Sequence, residues 1–165
     1  MSSFLSLLER LALGGVDFVL VGGYAGIVYG CTYVTQDIDL CCDFSPANLL
    51  ALQEALGDLH PVHRMTPGRK SLHLTPENAA EFRNLYLYLD TDLGRLDCLS
   101  HVEGIGGYEQ VRQSSERIEV EGMPFRVLSL DSLIAAKQAM KRPRDREAVR
   151  QLQAIKHLRH HGPSS

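Results

Sequence analysis

The first half of the chain alternates between helix-like and strand-like spacing of its hydrophobic residues. Apolar side chains recur every three or four residues from Phe4 to Leu13, and a glycine pair follows, which predicts an amphipathic helix that ends there. The short apolar run at residues 17–21 contains β-branched valines and predicts a buried strand. The same patterns predict a helix at 24–29, a strand at 37–42 and a helix at 46–56.

The second half of the chain predicts several short strands followed by two helices. The strands are expected at residues 71–74, 84–89, 95–99, 117–121 and 125–127. The helices are expected at residues 130–141 and 143–159. This order of elements predicts an α/β (α+β) fold, with a mixed sheet flanked by helices and a short C-terminal helical part.

Length and composition indicate one compact unit. The chain has 165 residues, of which 44% are hydrophobic and 22% charged, and this excludes a disordered or fibrous protein. We expect residues 1–128 to form the α/β core and residues 129–165 to form the C-terminal helices and a disordered tail. The four cysteines lack zinc-site spacing, and no apolar run could cross a membrane, so we expect a cytoplasmic protein with no membrane partner.

Charge is distributed unevenly along the chain. The net charge is -3, but the segment from Lys137 to His161 has eight basic and two acidic side chains and is therefore net +6. The remainder of the chain is correspondingly acidic. This asymmetry suggests that a polyanion contacts the C-terminal end, with a solvated basic helix as the simpler alternative.

Two aspartates form the first candidate for chemistry. Asp37 and Asp39 alternate with Ile38 and Leu40, so in a strand the two carboxylates face one side and the apolar side chains the other. Neighbouring carboxylates repel each other, and a divalent cation bound to both removes the repulsion. An exposed strand face or a turn is the alternative interpretation.

A glycine pair and a third aspartate would complete such a site. Gly22 and Gly23 lie between a predicted strand and a predicted helix, where open backbone N–H groups can bind phosphate, although many glycine pairs are plain turns. Asp97 lies on the predicted strand 95–99. If that strand pairs with strand 37–42, three carboxylates meet and could hold two Mg²⁺ ions for phosphoryl transfer. A hairpin aspartate near a turn is the alternative for Asp97.

The tyrosines and aspartates of residues 86–92 have simpler expected roles. Tyr86 and Tyr88 alternate along a predicted strand, which is more typical of packing on a sheet than of stacking with a nucleobase. Asp90 and Asp92 are expected in the turn that joins two predicted strands.

The ordered set of motifs resembles the nucleotidyltransferase fold of the polymerase beta superfamily. The glycine pair and the Asp-Ile-Asp element are followed by Gly94-Arg95-Leu96-Asp97, by the segment Ser129–Lys137 and by Arg142-Pro143-Arg144-Asp145. Over residues 14–155, this set looks like the small nucleotidyltransferase toxins of abortive-infection and type IV toxin–antitoxin systems.

This resemblance implies roles for the matching residues. It implies Mg²⁺ as cofactor, with two ions and with Mn²⁺ as a substitute. The implied metal-binding, catalytic and nucleotide-binding residues are Asp37, Asp39, Asp97, Lys137, Asp145, Gly22 and Gly23. Thr35 is added as a nucleotide-binding candidate, with an ordinary strand residue as the alternative.

The resemblance also implies an activity and its partners. The activity is transfer of a nucleoside monophosphate from an NTP to a hydroxyl of a tRNA 3′ end or a protein side chain, with an antitoxin protein as a further partner. Tyr33 and Gln36 stand where relatives have basic residues. This departure motivates an alternative, a catalytically degenerate module that binds a nucleotide or a protein.

Overall fold

A mixed β-sheet lies at the centre of residues 2–161, the part of the chain that this computed structural model describes. The strands are β1 (Phe18–Val21), β2 (Asp37–Cys42), β3 (Val62–His63), β4 (Tyr86–Thr91), β5 (Gly94–Leu99), β6 (His101–Val102), β7 (Gly106–Gly107), β8 (Ser115–Val120) and β9 (Met123–Leu128). Seven strands form one sheet in the order β3-β4-β5-β2-β1-β9-β8, and β6 pairs with β7 in a separate ribbon. The pairs β2–β5 and β1–β9 are parallel, whereas the other pairs of the sheet are antiparallel.

Helices flank this sheet. They are α1 (Ser3–Leu13), α2 (Gly22–Tyr29), α3 (Pro46–Leu56), α4 (Pro76–Ala80), α5 (Tyr108–Gln113), α6 (Leu130–Met140) and α7 (Arg146–His160), with short 3₁₀ turns at Gly57–Leu59 and Pro143–Asp145. The arrangement confirms the predicted α/β (α+β) class with a mixed sheet flanked by helices. The tail that we expected to be disordered, residues 162–165, lies outside the described residues.

Serine side chains fix the starts of three of the longer helices. Ser2, Ser45 and Ser129 each accept a hydrogen bond from a backbone N–H in the first turn of α1, α3 and α6, respectively. Each bond satisfies a donor that the helix itself leaves unpaired, which stabilises a helix by about 1 kcal/mol. Helix α3 also has a proline in its first turn, where the fixed φ of proline suits a helix start.

The hydrophobic core lies between the sheet and the helices. All four residues of β1 are buried, and the leucines of α1 that face the sheet, Leu7, Leu8 and Leu11, have no exposed surface. Burying one such side chain contributes about 1.5–3 kcal/mol. Cys41 and Cys42 are free and buried, as expected for small hydrophobic strand residues. The core therefore holds β1 and β2 rigidly in place.

The C-terminal helices pack next to the start of α2. Helices α6 and α7 contact each other, and both contact α2. Because α2 begins directly after β1, this packing brings the second half of the chain to the glycine pair. This packing brings residues that are more than 100 positions apart in sequence close together in space.

The strand predicted at residues 71–74 is wrong. Only Ser71 forms an isolated bridge, with Val62. Leu72 is buried, and the backbone of Leu74 exchanges hydrogen bonds with the side chain of Gln53. The apolar alternation of this segment therefore marks a loop anchored on α3, not a strand.

The turn predicted around Asp90 is also misplaced. Asp90 lies within β4, and the turn begins at Asp92. The Asp90 carboxylate accepts a hydrogen bond from Arg69, which lowers its pKa. Several short elements, β3, β6, β7, α4 and α5, were not predicted, because each has six residues or fewer and shows no usable periodicity.

Candidate active site

A cleft of about 970 Å³ opens beside β1, β2 and β5 and extends to α6 and α7. It is lined by every site residue predicted from the sequence: Gly22, Gly23, Thr35, Asp37, Asp39, Asp97, Lys137 and Asp145. The cleft is therefore the candidate functional site, and its geometry decides what these residues can do together.

Strand register places the three aspartates on one face of the sheet. In the parallel pair β2–β5, Asp39 lies opposite Asp97 and Asp37 lies opposite Arg95. Ile38 and Leu40 are fully buried on the other face. The strand pairing on which the Asp97 prediction depended is present, so Asp97 stands directly beside Asp39.

The carboxyl groups interact strongly at this position. Burial, and then the charges of Asp97 and Asp37, raise the pKa of Asp39 to about 7. The Oδ1 atom of Asp37 is buried and has no hydrogen-bond partner. A buried carboxylate oxygen without a partner is costly, and a cation is a partner that would satisfy it. Asp37 and Asp39 therefore fit a divalent cation.

Asp97 is engaged by an arginine that sequence reasoning missed. Arg64 donates a hydrogen bond to the Asp97 carboxylate and another to the Leu89 carbonyl, at 3.0 Å. Burial raises the pKa of Asp97, and the Arg64 guanidinium acts in the opposite direction. Within residues 2–161, no three side chains of the His, Cys, Asp and Glu types are grouped so that they could hold a metal ion. That Asp97 shares the metal site stays a prediction.

The glycine turn is shaped by its contact with Asp39. Gly22 has φ = +70°, and a Cβ at this position would lie 2.2 Å from the Asp39 Oδ2 atom. A side chain is therefore excluded twice, by backbone conformation and by space. Helix α2 starts here with no side-chain cap, so its first backbone N–H groups lack a side-chain acceptor. An anion such as phosphate fits this position.

Tyr33 contacts the same glycine turn and stabilises its backbone. Its hydroxyl donates a hydrogen bond of 2.8 Å to the Gly23 carbonyl, and it lies so close to Gly26 that a Cβ there would be 2.1 Å from it. Burial raises the pKa of Tyr33, so the hydroxyl stays protonated and remains a donor. Tyr33 therefore places a neutral side chain against the glycine turn and supports its backbone.

Lys137 and Asp145 form a buried ion pair on the opposite wall. The Lys137 Nζ atom lies 3.7 Å from Asp145 Oδ1, and the Arg142 Nε atom donates a 2.6 Å hydrogen bond to Asp145 Oδ2. Burial alone would raise the pKa of Asp145, but the Arg142 hydrogen bond and the Lys137 charge outweigh it and lower that pKa. The positive charge of Lys137 also acts on Asp39, where it offsets part of the rise in the pKa of that carboxyl group.

Thr35 contacts the site through the backbone. Its hydroxyl donates a hydrogen bond of 3.2 Å to the Asp37 carbonyl, and its Oγ1 atom faces Gly23, where a Cβ would lie 3.1 Å away. This position suits a residue that holds β2 against the glycine turn. Nucleotide binding by Thr35 stays a prediction.

Three further residues line the cleft but were given no functional role from the sequence. Arg64 follows a two-residue strand with no periodicity, so no local signal could have found it. Arg142 stands in the motif Arg142-Pro143-Arg144-Asp145, and its spacing of three from Asp145 was a usable signal. Tyr88 was expected to pack on the sheet; its ring stacks on that of Tyr86 there and also lines the cleft.

The chain resembles known proteins in its structure and not detectably in its sequence. No protein-family model matches the chain, and no curated protein matches it significantly by sequence. The structure resembles a candidate nucleotidyltransferase from Thermotoga maritima, with a TM-score of 0.56, 17% identity, and coverage of 92% of this chain and 90% of that one.

A second protein, ANT(2″)-Ia, matches in two separate structures. Its complex with adenylyl-2″-tobramycin gives a TM-score of 0.55 at 16% identity, covering 96% of this chain and 93% of that one. The solution structure of this antibiotic-resistance factor gives a TM-score of 0.56 at 17% identity, covering 97% and 83%. The chain has the nucleotidyltransferase fold. The closer resemblance to toxin–antitoxin proteins stays a prediction.

None of the described helices is both long and apolar enough to cross a membrane.

Proposed function

We propose that the protein is an Mg²⁺-dependent nucleotidyltransferase, which moves a nucleoside monophosphate from an NTP to a hydroxyl acceptor and releases pyrophosphate. One observation carries this proposal. The aspartates of β2 and β5, the uncapped glycine turn and the buried Lys137 all line one cleft in a nucleotidyltransferase fold. The fold alone supports many functions, so the proposal depends on this cleft.

The metal would be held by Asp37 and Asp39. The partnerless Oδ1 atom of Asp37 and the raised pKa of Asp39 support this assignment. We keep the sequence-based proposal of two ions, with Mn²⁺ as a substitute, and place the second at Asp97 once Arg64 releases it. Bound divalent cations would neutralise the carboxylates, lower the pKa of the acceptor hydroxyl and offset charge on the leaving pyrophosphate.

The remaining residues bind and orient the NTP. The N–H groups at Gly22 and Gly23 bind phosphate oxygens, and Tyr33 keeps that turn in shape. Lys137 contributes a positive charge to the triphosphate, and Asp145 holds the lysine in position. The acceptor oxygen forms a bond to the α-phosphorus while the bond between the α-phosphorus and the pyrophosphate oxygen breaks. The hydroxyl proton passes to a cleft carboxylate or to water.

The test is transfer of label from α-labelled NTP to an acceptor. The protein is incubated with Mg²⁺, each labelled NTP in turn, total tRNA and cell lysate, and the labelled macromolecule is identified. Asp39→Asn is expected to abolish labelling. Asp92→Asn is the matched control, because Asp92 is a surface carboxylate paired with His60 outside the cleft. Full activity in Asp39→Asn would refute the mechanism.

The acceptor that we propose is a hydroxyl on a tRNA 3′ end or on a protein side chain. The basic C-terminal segment supports RNA: a smaller cavity of about 430 Å³ adjoins the cleft and is lined by Lys141, Arg142, Arg146 and Arg150, among other residues. In the same experiment, label in tRNA or label in protein distinguishes the two acceptors.

We further propose that the protein acts as a toxin and is restrained by an antitoxin protein in the cytoplasm. The support is the resemblance of the motifs and the basic α7, which could dock an acidic partner. Induced expression is expected to arrest growth, and Asp39→Asn is expected not to. Growth that is unaffected by an active enzyme would exclude the toxin role and leave the transferase.

The alternative is a degenerate module that binds a nucleotide without turnover. The contact that favours it is the Arg64–Asp97 pair, which occupies the carboxylate needed for a second ion. Calorimetry separates the two functions: ATP binding with no transfer over a broad acceptor panel supports the module.

A further inference from the structure

We propose that Tyr86 and Tyr88 form the acceptor subsite of the cleft, as a stacking shelf for the unpaired terminal base of an RNA strand. This inference rests on the proposed function and deepens it by naming the residues that select the acceptor. Four observations carry it: strand register, ring geometry, exposure and local charge.

Strand register places the shelf beside Asp97. Across four neighbouring strands, Val21 lies opposite Asp39, Asp39 opposite Asp97, and Asp97 opposite Tyr88. Neighbouring strands are about 4.8 Å apart, so Tyr88 is one strand from Asp97 and three strands from the end of β1. The phosphate-binding turn follows β1 directly. The triphosphate and the shelf therefore lie on opposite sides of Asp39, and the shelf is on the acceptor side.

The two rings stack on each other, and the exposed ring of Tyr86 lies at the open end of the stack. Their centroids are 5.3 Å apart and their planes differ by 15°. Tyr86 is 47% exposed, and Tyr88 lines the cleft. Neither ring belongs to the hydrophobic core that the described residues form, whereas Tyr24, Tyr29, Tyr33 and Tyr108 pack against it. The two tyrosines thus pack on each other on the surface of the sheet, as expected, but outside the hydrophobic core.

A nucleobase suits this shelf better than a cationic or aliphatic acceptor does. Base–aromatic stacking is worth about 1–3 kcal/mol per base and tolerates any base. The Arg64 guanidinium lies 5.6 Å from the Tyr88 ring centroid but is itself paired with Asp97. The positive charge that favours a polyanion comes instead from Arg142 and Arg144, which line the same cleft. In a nucleotide the base is joined to the sugar that carries the hydroxyl, so a base stacked on this tyrosine pair holds that hydroxyl near β5, the strand that carries Asp97.

The experiment measures RNA affinity without requiring turnover. The probe is a short single-stranded RNA with a 5′ fluorescent label and a free 3′ end, and binding is followed by fluorescence anisotropy. Tyr86→Ala and Tyr88→Ala are each expected to weaken binding about tenfold, as the loss of one stacking contact predicts. Tyr86→Phe and Tyr88→Phe keep the ring and are expected to bind within twofold of the wild type.

Leu85→Ala is the matched control for a general effect of truncating this surface. Leu85 precedes Tyr86, is 53% exposed and does not line the cleft. Leu85→Ala is expected to leave the RNA affinity unchanged. Thermal unfolding checks that all variants fold. Wild-type affinity in both alanine variants, or no RNA binding by the wild type, overturns the proposal.

Failure of this inference can be told apart from failure of the proposed function. If label from NTP enters proteins of the lysate and not RNA, the enzyme stands and the RNA shelf is refuted. If the alanine variants lose RNA affinity while no variant transfers label, the shelf stands and catalysis is refuted.

Discussion

The carboxyl group of Asp39 lies against Gly22 and beside two further aspartates, and this crowding sets the chemistry of single residues in the cleft. Asp37 has an oxygen with no partner, while Asp97 has Arg64 as its partner. The carboxylates of the site therefore differ: Asp37 lacks a partner for one oxygen, and Asp97 is already paired with a cation. A cation is needed most at Asp37 and Asp39, and an acceptor meets an already paired carboxylate at Asp97.

Substitution of Gly22 tests the close approach of the turn to Asp39. Gly22→Ala is expected to lower the free energy of unfolding by about 2–3 kcal/mol and to abolish divalent-cation binding, because its Cβ displaces the Asp39 carboxylate. Gly15→Ala is the matched control: Gly15 has φ = +72° but no atom within 4 Å of an added Cβ. It is expected to cost about 1 kcal/mol and to leave cation binding intact. Equal effects of both substitutions would contradict the close contact.

The raised pKa of Asp39 predicts a pH dependence of stability. The folded-state pKa of Asp39 is about 7 and its ordinary value is 3.8, so the contribution of Asp39 to the free energy of unfolding is greatest below about pH 4. That contribution is lost as the pH rises to about 7. Without divalent cations, Asp39→Asn is expected to be more stable than the wild type above that range, by roughly 4 kcal/mol at most. The difference should vanish below about pH 4. Urea unfolding across this pH range measures it, and a pH-independent difference would exclude titration of Asp39 as the cause.

Removal of Arg64 tests whether that arginine limits the number of bound ions. With Asp97 freed, Arg64→Met is expected to bind a second Mn²⁺ ion in the absence of NTP, whereas the wild type binds one. Arg95→Met is the control, because Arg95 is half-exposed and its ion pair is with Asp90, whose Oδ1 atom lies 3.6 Å from the Arg95 Nε atom. Titration followed by electron paramagnetic resonance counts the ions. An unchanged ion count in Arg64→Met would show that the Arg64–Asp97 pair does not compete with metal.

Among the structural elements, α6, the short 3₁₀ turn and the start of α7 act together as one wall of the cleft. The turn at Pro143–Asp145 places Asp145 between Lys137 of α6 and Arg142. The ion pair is buried, and a buried pair is costly to break although it contributes little net stability when intact. The wall therefore depends on Asp145 more than on the exposed charges of α7.

Neutralising Asp145 tests this dependence. Asp145→Asn is expected to destabilise the protein by about 3 kcal/mol, because it leaves Lys137 buried without a countercharge. Glu147→Gln is the control: Glu147 pairs with Arg150 at an exposed position, so its neutralisation is expected to change the stability far less. Since the pKa of Asp145 is lowered, its contribution to stability is present above its ordinary pKa and is lost as the pH falls through its folded-state value. Similar losses in both variants by thermal unfolding would contradict a buried pair.

How far the sequence predicted these elements depended on their length and on the partners of their residues. The alternation around Asp37 and Asp39 located β2, whereas the pairing of β2 with β5 entered only as a condition, which the structure meets. Arg64 could not be predicted, since it enters the cleft from a loop that only the β3–β4 register positions. The tyrosine shelf was missed because strand alternation identifies a shared face but not whether another element covers it.

For the whole molecule, the fold concentrates separate parts of a long chain at one place. The central sheet brings β1, β2 and β5 side by side, and the C-terminal helices close against α2. The positive charge predicted for the C-terminal segment reaches the cleft through Lys137 and Arg142. The fold class and the eight candidate residues that line the cleft were thus predictable from sequence, whereas Arg64 and its pairing with Asp97 depend on packing.

Nucleotidyl transfer by this cleft is measured most directly as transfer of label from α-labelled NTP in the presence of Mg²⁺, compared among wild type, Asp39→Asn and Asp92→Asn. We predict pyrophosphate release and a labelled acceptor for the wild type and Asp92→Asn, and none for Asp39→Asn. Equal labelling by all three proteins, or no labelling by the folded wild type with any NTP, would contradict it.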